Sequence, residues 1–106
     1  MKRATLPAGV VEATRDRMGR VVLLEEEAVA HIERRHPEMS GRELAIATAI
    51  EVGVRCRTPK DGREKWIAPD IGPGKHLAVV VAYENNVGKV ITAYADKNGP
   101  RKADRI

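Results

Sequence analysis

Aromatic residues are scarce in this chain. Three of its 106 residues are aromatic (Trp66, Tyr83 and Tyr94), and there is no Phe. That excludes a base-stacking platform of several rings. The core must rest on Val, Ile, Leu and Ala. A single cysteine, Cys56, leaves no internal disulfide and no cysteine pair for a structural zinc. A single serine, Ser40, leaves no serine nucleophile elbow. The stretch Gly72-Pro73-Gly74-Lys75 lacks the spacing and strand-to-helix setting of a phosphate-cradling P-loop. The longest apolar run, Leu77 to Tyr83, is far too short to span a bilayer. Residues Met1 to Pro7 carry no long apolar stretch, so no secretory leader is expected. The expectation is a cytoplasmic protein without a membrane partner.

Charge is plentiful. Nineteen Lys and Arg against fifteen Asp and Glu leave a formal charge of +4, with a pI of about 9.5. Arginine outnumbers lysine twelve to seven. Arginine holds phosphate in a fixed fork, so this balance is compatible with a nucleic-acid partner. It equally suits a small domain that simply stays in solution. A chain of this length makes one domain over 1–106. Its core is expected at about 10–95, with 1–9 and 96–106 as flexible tails.

The hydrophobic pattern changes period along the chain. Val10 to Asp16 and Val21 to Leu24 read as two short strands around a turn at Arg17-Met18-Gly19-Arg20. Glu25, Glu26 and Glu27 then place acids where a helix dipole favours them. Ala28, Val29, Ile32 and His36 share one helical face, and Pro37 stops that helix. Ser40 and Glu43 read as the cap and third position of a second helix, with Ser40 as N-cap. Leu44 to Val52 is apolar nearly all round, which predicts a mostly buried helix ending at Gly53. Strands follow at Val54–Thr58, Glu64–Ala68, Lys75–Tyr83 and Lys89–Ala95. The expected fold is α+β: an N-terminal β-hairpin, then two helices packed on one face of a curved antiparallel sheet of about four strands. The opposite face is left for binding.

Several side chains on this outline can carry chemistry. His31 and His36 lie five apart on one helix, roughly 140° around its axis, so they do not chelate a metal together. Glu27 and His31 are four apart, but two ligands do not make a site. No metal and no cofactor is expected. Either histidine could transfer a proton; each is also an ordinary helix-flank residue. Arg55 and Arg57 alternate, so they share a face and could hold phosphates, or could blunt a sheet edge. Cys56 between them then points toward the helices as a small buried hydrophobe. Lys75 and His76 open the longest strand. Thr92 and Tyr94 share a face of the last strand, as phosphate-orienting groups or as plain sheet formers.

Val21-Val22-Leu23-Leu24 runs into Glu26, Ala30-His31-Ile32 and Arg35-His36-Pro37-Glu38-Met39. A second helix, an Arg-bearing strand and a last strand ending Val90-Ile91-Thr92-Ala93-Tyr94 follow. From Val21 to Tyr94 this resembles the phage-associated nucleases of the barnase, EndoU, colicin and RelE-like ribonuclease superfamily. The resemblance implies a small toxin-like, metal-independent endoribonuclease with RNA lying across its sheet. An antitoxin or immunity protein is a further partner it suggests. It maps the catalytic histidine to His31, with His36 as the other choice. The strand arginine maps to Arg57, with Arg55 beside it, and the last-strand hydroxyl to Thr92, with Tyr94 nearby. Lys75 would be a reserve cation at the rim, and His76 would lie beside it in substrate binding. Such chemistry needs a base for the ribose 2′-hydroxyl, a cation for the phosphate and an acid for the leaving 5′ oxygen. Two other readings fit the same residues. One is a non-catalytic RNA- or protein-binding module on that face. The other is an interaction protein whose edge strand pairs with another chain.

Overall fold

A computed structural model describes residues 6–70 and 74–106. Of the expected tail at 1–9, residues 1–5 lie outside that range. The chain forms β1 (Val10–Arg15), β2 (Val21–Glu25), α1 (Glu26–Arg35), α2 (Glu43–Val52), β3 (Val54–Arg57), β4 (Arg63–Pro69), β5 (His76–Glu84) and β6 (Val87–Asp96). Single 3-10 turns add Pro37–Met39 and Lys102–Asp104. No helix among the described residues is long and apolar enough to cross a membrane.

The local signals set most boundaries. Glu26 and Glu27 occupy the first turn of α1, and Arg34 and Arg35 its last, so both ends suit the helix dipole. His36 leaves helical geometry ahead of Pro37, while its N–H still donates to the Ile32 carbonyl at 2.7 Å. Ser40 is not the cap of α2. Its N–H closes the Pro37–Met39 turn on the Pro37 carbonyl at 3.1 Å, and Gly41 follows at φ +73°. That left-handed step re-aims the chain, and α2 starts at Glu43 behind an uncapped Arg42. Nor is α2 buried all round. Ile46, Ala47, Ala49 and Ile50 are, but Leu44 and Val52 are 73% and 61% exposed.

The fold is α+β, with a larger sheet than the sequence suggests. β3 to β6 form the expected antiparallel meander. The N-terminal hairpin is not separate from it. β2 pairs parallel with β6 through Val21↔Val87, Val22↔Gly88 and Leu23↔Lys89. The result is one mixed, open sheet of six strands in the order β1-β2-β6-β5-β4-β3. A parallel pair needs a long crossover, here everything from α1 to β5. The short run Val21 to Leu24 carries no mark of so distant a partner.

Both helices cover one face. α1 packs on β6 and β2; α2 packs on β1, β4 and β5. Ile32, Met39, Ile46 and Ile50 meet Val22, Leu24, Trp66, Val79, Val81 and Val90 there. A smaller cluster on the other face joins Cys56, Ile67 and Ala78, flanked by Val54 and Tyr94. Cys56 therefore faces away from the helices, and Arg55 lies on the helix side, while Arg57, exposed at the end of β3, reaches the rim of the open face. Register decides this: Arg55 pairs with Trp66, which is fully buried under the helices, so its neighbour Cys56 must point opposite.

Two closures reach across the sheet. The β1–β2 turn opens at Asp16, whose side chain is buried. It accepts hydrogen bonds from the N–H groups of Met18 and Arg20, from Arg20 Nε and from the Tyr83 hydroxyl. Tyr83 in turn accepts from Trp66 Nε1 at 2.9 Å. Arg20 lies 3.7 Å over the Tyr83 ring and donates to Glu64, which also receives a two-pronged contact from Arg55. This ties the turn to β4 and β3. At the chain's other end, the polar residues read as a tail return to β3. Arg105 bridges Cys56, and the Ile106 N–H donates to the Arg55 carbonyl at 3.0 Å.

Candidate functional site

The face without helices is where expected site residues meet. Alternation along β6 puts Thr92, Tyr94 and Asp96 on it. His76, Ala78 and Val80 face the same way from β5, and Lys65 and Ile67 from β4. Ala78 is fully buried, and its pair partner on β6 is Tyr94. The Tyr94 ring centre lies 5.8 Å from Lys65 Nζ, two strands away.

His36 reaches the same ring from a helix on the opposite side. Its ring centroid is 5.7 Å from that of Tyr94, with the planes tilted by 38°. The route runs round an edge. β2 covers β6 only as far as Lys89, so the rest of that edge has no strand partner among the described residues. The end of α1 and the Pro37–Met39 turn stand against it. Glu38 accepts the Ala95 N–H at 3.5 Å, and His36 Nδ1 lies 3.9 Å from the Glu38 carboxylate. The His-Pro-Glu sequence thus replaces a neighbouring strand and brings an imidazole to Tyr94.

Beside this pair lies a concavity of about 390 Å³. Arg57, Lys65 and Arg101 supply cations to its lining; Asp96 and Asp104 supply carboxylates. One wall is the returning C-terminal segment, where Asn98 and Gly99 also line it. Burial pushes the Cys56 thiol pKa up in the same lining, as suits a packed hydrophobe rather than a nucleophile.

The other expected residues are dispersed. Thr92 is half-buried on the open face, two residues before Tyr94. His31 sits on α1 about 1.4 turns back from His36, about 7.5 Å along the axis. β6, under α1, and β3 are three strand steps apart, about 14 Å, so His31 and Arg57 are not brought together. Arg55 is on the helix side, engaged by Glu64. Lys75 is exposed at φ +67°, and its carbonyl accepts the Asp70 N–H. His76 lies under the C-terminal segment: a side chain on Gly99 would strike its ring. Its buried Nδ1 has no hydrogen-bond partner among the described residues.

Lys65 and Arg101 are the site cations that sequence reasoning missed. Lys65 was legible only as a residue alternating with Trp66. Which face it takes depends on β4 register. Arg101 lies in the stretch read as tail. Among the described residues, no three of His, Cys, Asp and Glu are grouped so as to hold a metal. No known family matches the chain, and no curated protein matches it.

Proposed function

We propose that this protein is a metal-independent endoribonuclease acting on its open sheet face. The observation that carries the proposal is the meeting of the His36 and Tyr94 rings near Lys65, with Tyr94 and Lys65 lining a concavity that also holds Arg57 and Arg101. The resemblance of Val21 to Tyr94 to the barnase, EndoU, colicin and RelE-like nucleases supports it. His36, rather than His31, takes the proton-transfer role in this reading. Imidazole exchanges protons near neutral pH and needs no metal to do so. His36 takes the proton of a ribose 2′-hydroxyl, whose oxygen attacks the adjacent phosphorus. The 5′ oxygen leaves with a proton from water, and a 2′,3′-cyclic phosphate remains. Arg57 and Lys65 meet the charge that builds on the phosphate. Tyr94 orients it through its phenol, and Thr92 lies along the same strand. A cytoplasmic setting and a neutralising antitoxin or immunity protein belong to the same proposal.

The test is cleavage of total RNA in EDTA by wild type and by folded His36→Ala and Lys65→Ala variants. Fragments from wild type are expected, with rates about 100-fold lower or less in the His36 variant. Intact RNA from wild type would overturn the proposal. One observation favours a second reading, an RNA-binding module: His36 and Glu38 are 3.9 Å apart, too far for a hydrogen-bonded acid–base pair. That reading expects retention of RNA without turnover.

A further inference from the structure

The seam between the β1–β2 turn and β3 holds more arginine than its ion pairs engage. Arg15, Arg17, Arg20, Arg55 and Arg105 line two adjoining concavities of about 510 and 340 Å³, and Arg55 lines both. Asp16 and Glu64 bind Arg20, and Glu64 binds Arg55. The other three have no carboxylate partner among the described residues. Arg15 donates only to the Gly19 carbonyl at 2.8 Å, and Arg17 only to that of Gly53 at 3.4 Å. Each is a single carbonyl contact and uses one of the five N–H donors of its guanidinium.

This seam joins the proposed site around one strand. Arg57 and Arg101 line the open-face concavity. Arg105 stands at the outer edge of β3, its backbone bridged to Cys56, and lines the seam. Arg17, in the β1–β2 turn, and Arg15, at the end of β1, follow along the seam. Arginines thus succeed one another from the open face, round the edge of β3, to the β1–β2 turn. Guanidinium forks in such a row match successive phosphates of a nucleic-acid strand.

We infer that Arg105, Arg17 and Arg15 form an exosite for the phosphate backbone of RNA whose cleaved bond lies at His36 and Tyr94. The inference rests on the RNA reading of the open face, but binding tests it without turnover. The probe is an unstructured RNA twelve-mer carrying a 2′-deoxy block against cleavage, titrated over a range of salt. For single strands, log affinity falls with log salt by about 0.7 per phosphate contact. Arg15→Gln/Arg17→Gln should therefore lower the slope by about 1 to 1.4 and weaken binding. The charge-matched control Arg34→Gln/Lys89→Gln, on α1 and on β6 away from the seam, should leave the slope within about 0.3 of wild type, less than half of one such contact. A slope unchanged by the arginine pair overturns the exosite, as does an equal loss from the control, which would mark diffuse charge. Displacement of the RNA by poly-glutamate at equal charge concentration would also overturn it, in favour of an acidic-peptide surface. If the twelve-mer binds with the expected slopes while unblocked RNA stays intact, the exosite stands and the nuclease reading falls.

Discussion

Asp16 is the one charged or polar residue among the described ones that is almost fully buried, at 4% exposure. A carboxylate there is tolerable because four donors satisfy it, one of them the Arg20 guanidinium. Tyr83→Phe removes one of those donors and also orphans Trp66 Nε1. We expect a loss of about 1 to 3 kcal/mol, read from urea denaturation. Burial, and then the hydrogen bond to Asp16, push the Tyr83 phenol pKa well above its ordinary value. The folded state thus holds the neutral phenol, a contribution lost only above the unfolded pKa of about 10. The hydrogen bonds from Arg55, foremost, and Arg20 hold Glu64 down to a pKa of about 2. Its contribution is complete above the unfolded value of about 4.5 and fades as pH falls toward 2. The melting temperature should drop across that window, and Glu64→Gln should flatten the drop. At this scale, sequence reasoning singled out His36, Arg57 and Tyr94 as candidates because their residue types announce chemistry, and the structure sets the His36 and Tyr94 rings 5.7 Å apart. Sequence reasoning missed the Asp16 network because Tyr83 is 67 residues from Asp16, and Glu64 is 44 from Arg20.

Helix and strand ends were legible where one residue decides them. Pro37 stops α1, and Gly53 stops α2. Gly53 is not there for a left-handed turn, since its φ is −71°. It is there because a Cβ would collide with the Ala49 carbonyl and press on the backbone of Ile67. Gly53→Ala should cost about 1 to 3 kcal/mol, as overpacking does, in the same denaturation measurement. Leu44→Gln, on the exposed side of the same helix, should stay within about 0.5 kcal/mol of wild type. What a segment faces was less legible than where it ends. The facing of Arg55 and Cys56 follows from the β3–β4 register, which local pattern does not encode.

Across the whole molecule, the sheet's β3 edge is closed by the last residues of the chain. Arg105 and Ile106 take its backbone groups, and Cys56, at 1% exposure, lies behind them. Truncation after Asp96 should speed reaction of Cys56 with a thiol reagent at least tenfold, while circular dichroism keeps the β signal. Unchanged labelling would mean that the C-terminal segment does not shield that edge. The α+β class was legible because helical and alternating periods are local. The six-strand order was not, because the hairpin's partner lies at the far end of the sequence.

That order also dates the molecule's completion during synthesis. The N-terminal hairpin emerges first and waits beside no strand until residues 87–89 exist. Tyr94 follows five residues later, and the arginines of the closing segment after it. A chain halted before β6 lacks Val90 and Ala93 of the helix-side core and Thr92 and Tyr94 of the open face. Pairings this distant also slow folding toward the millisecond-to-second range. Whatever the open face does, it can be assembled only once β6 has been made and paired on both sides.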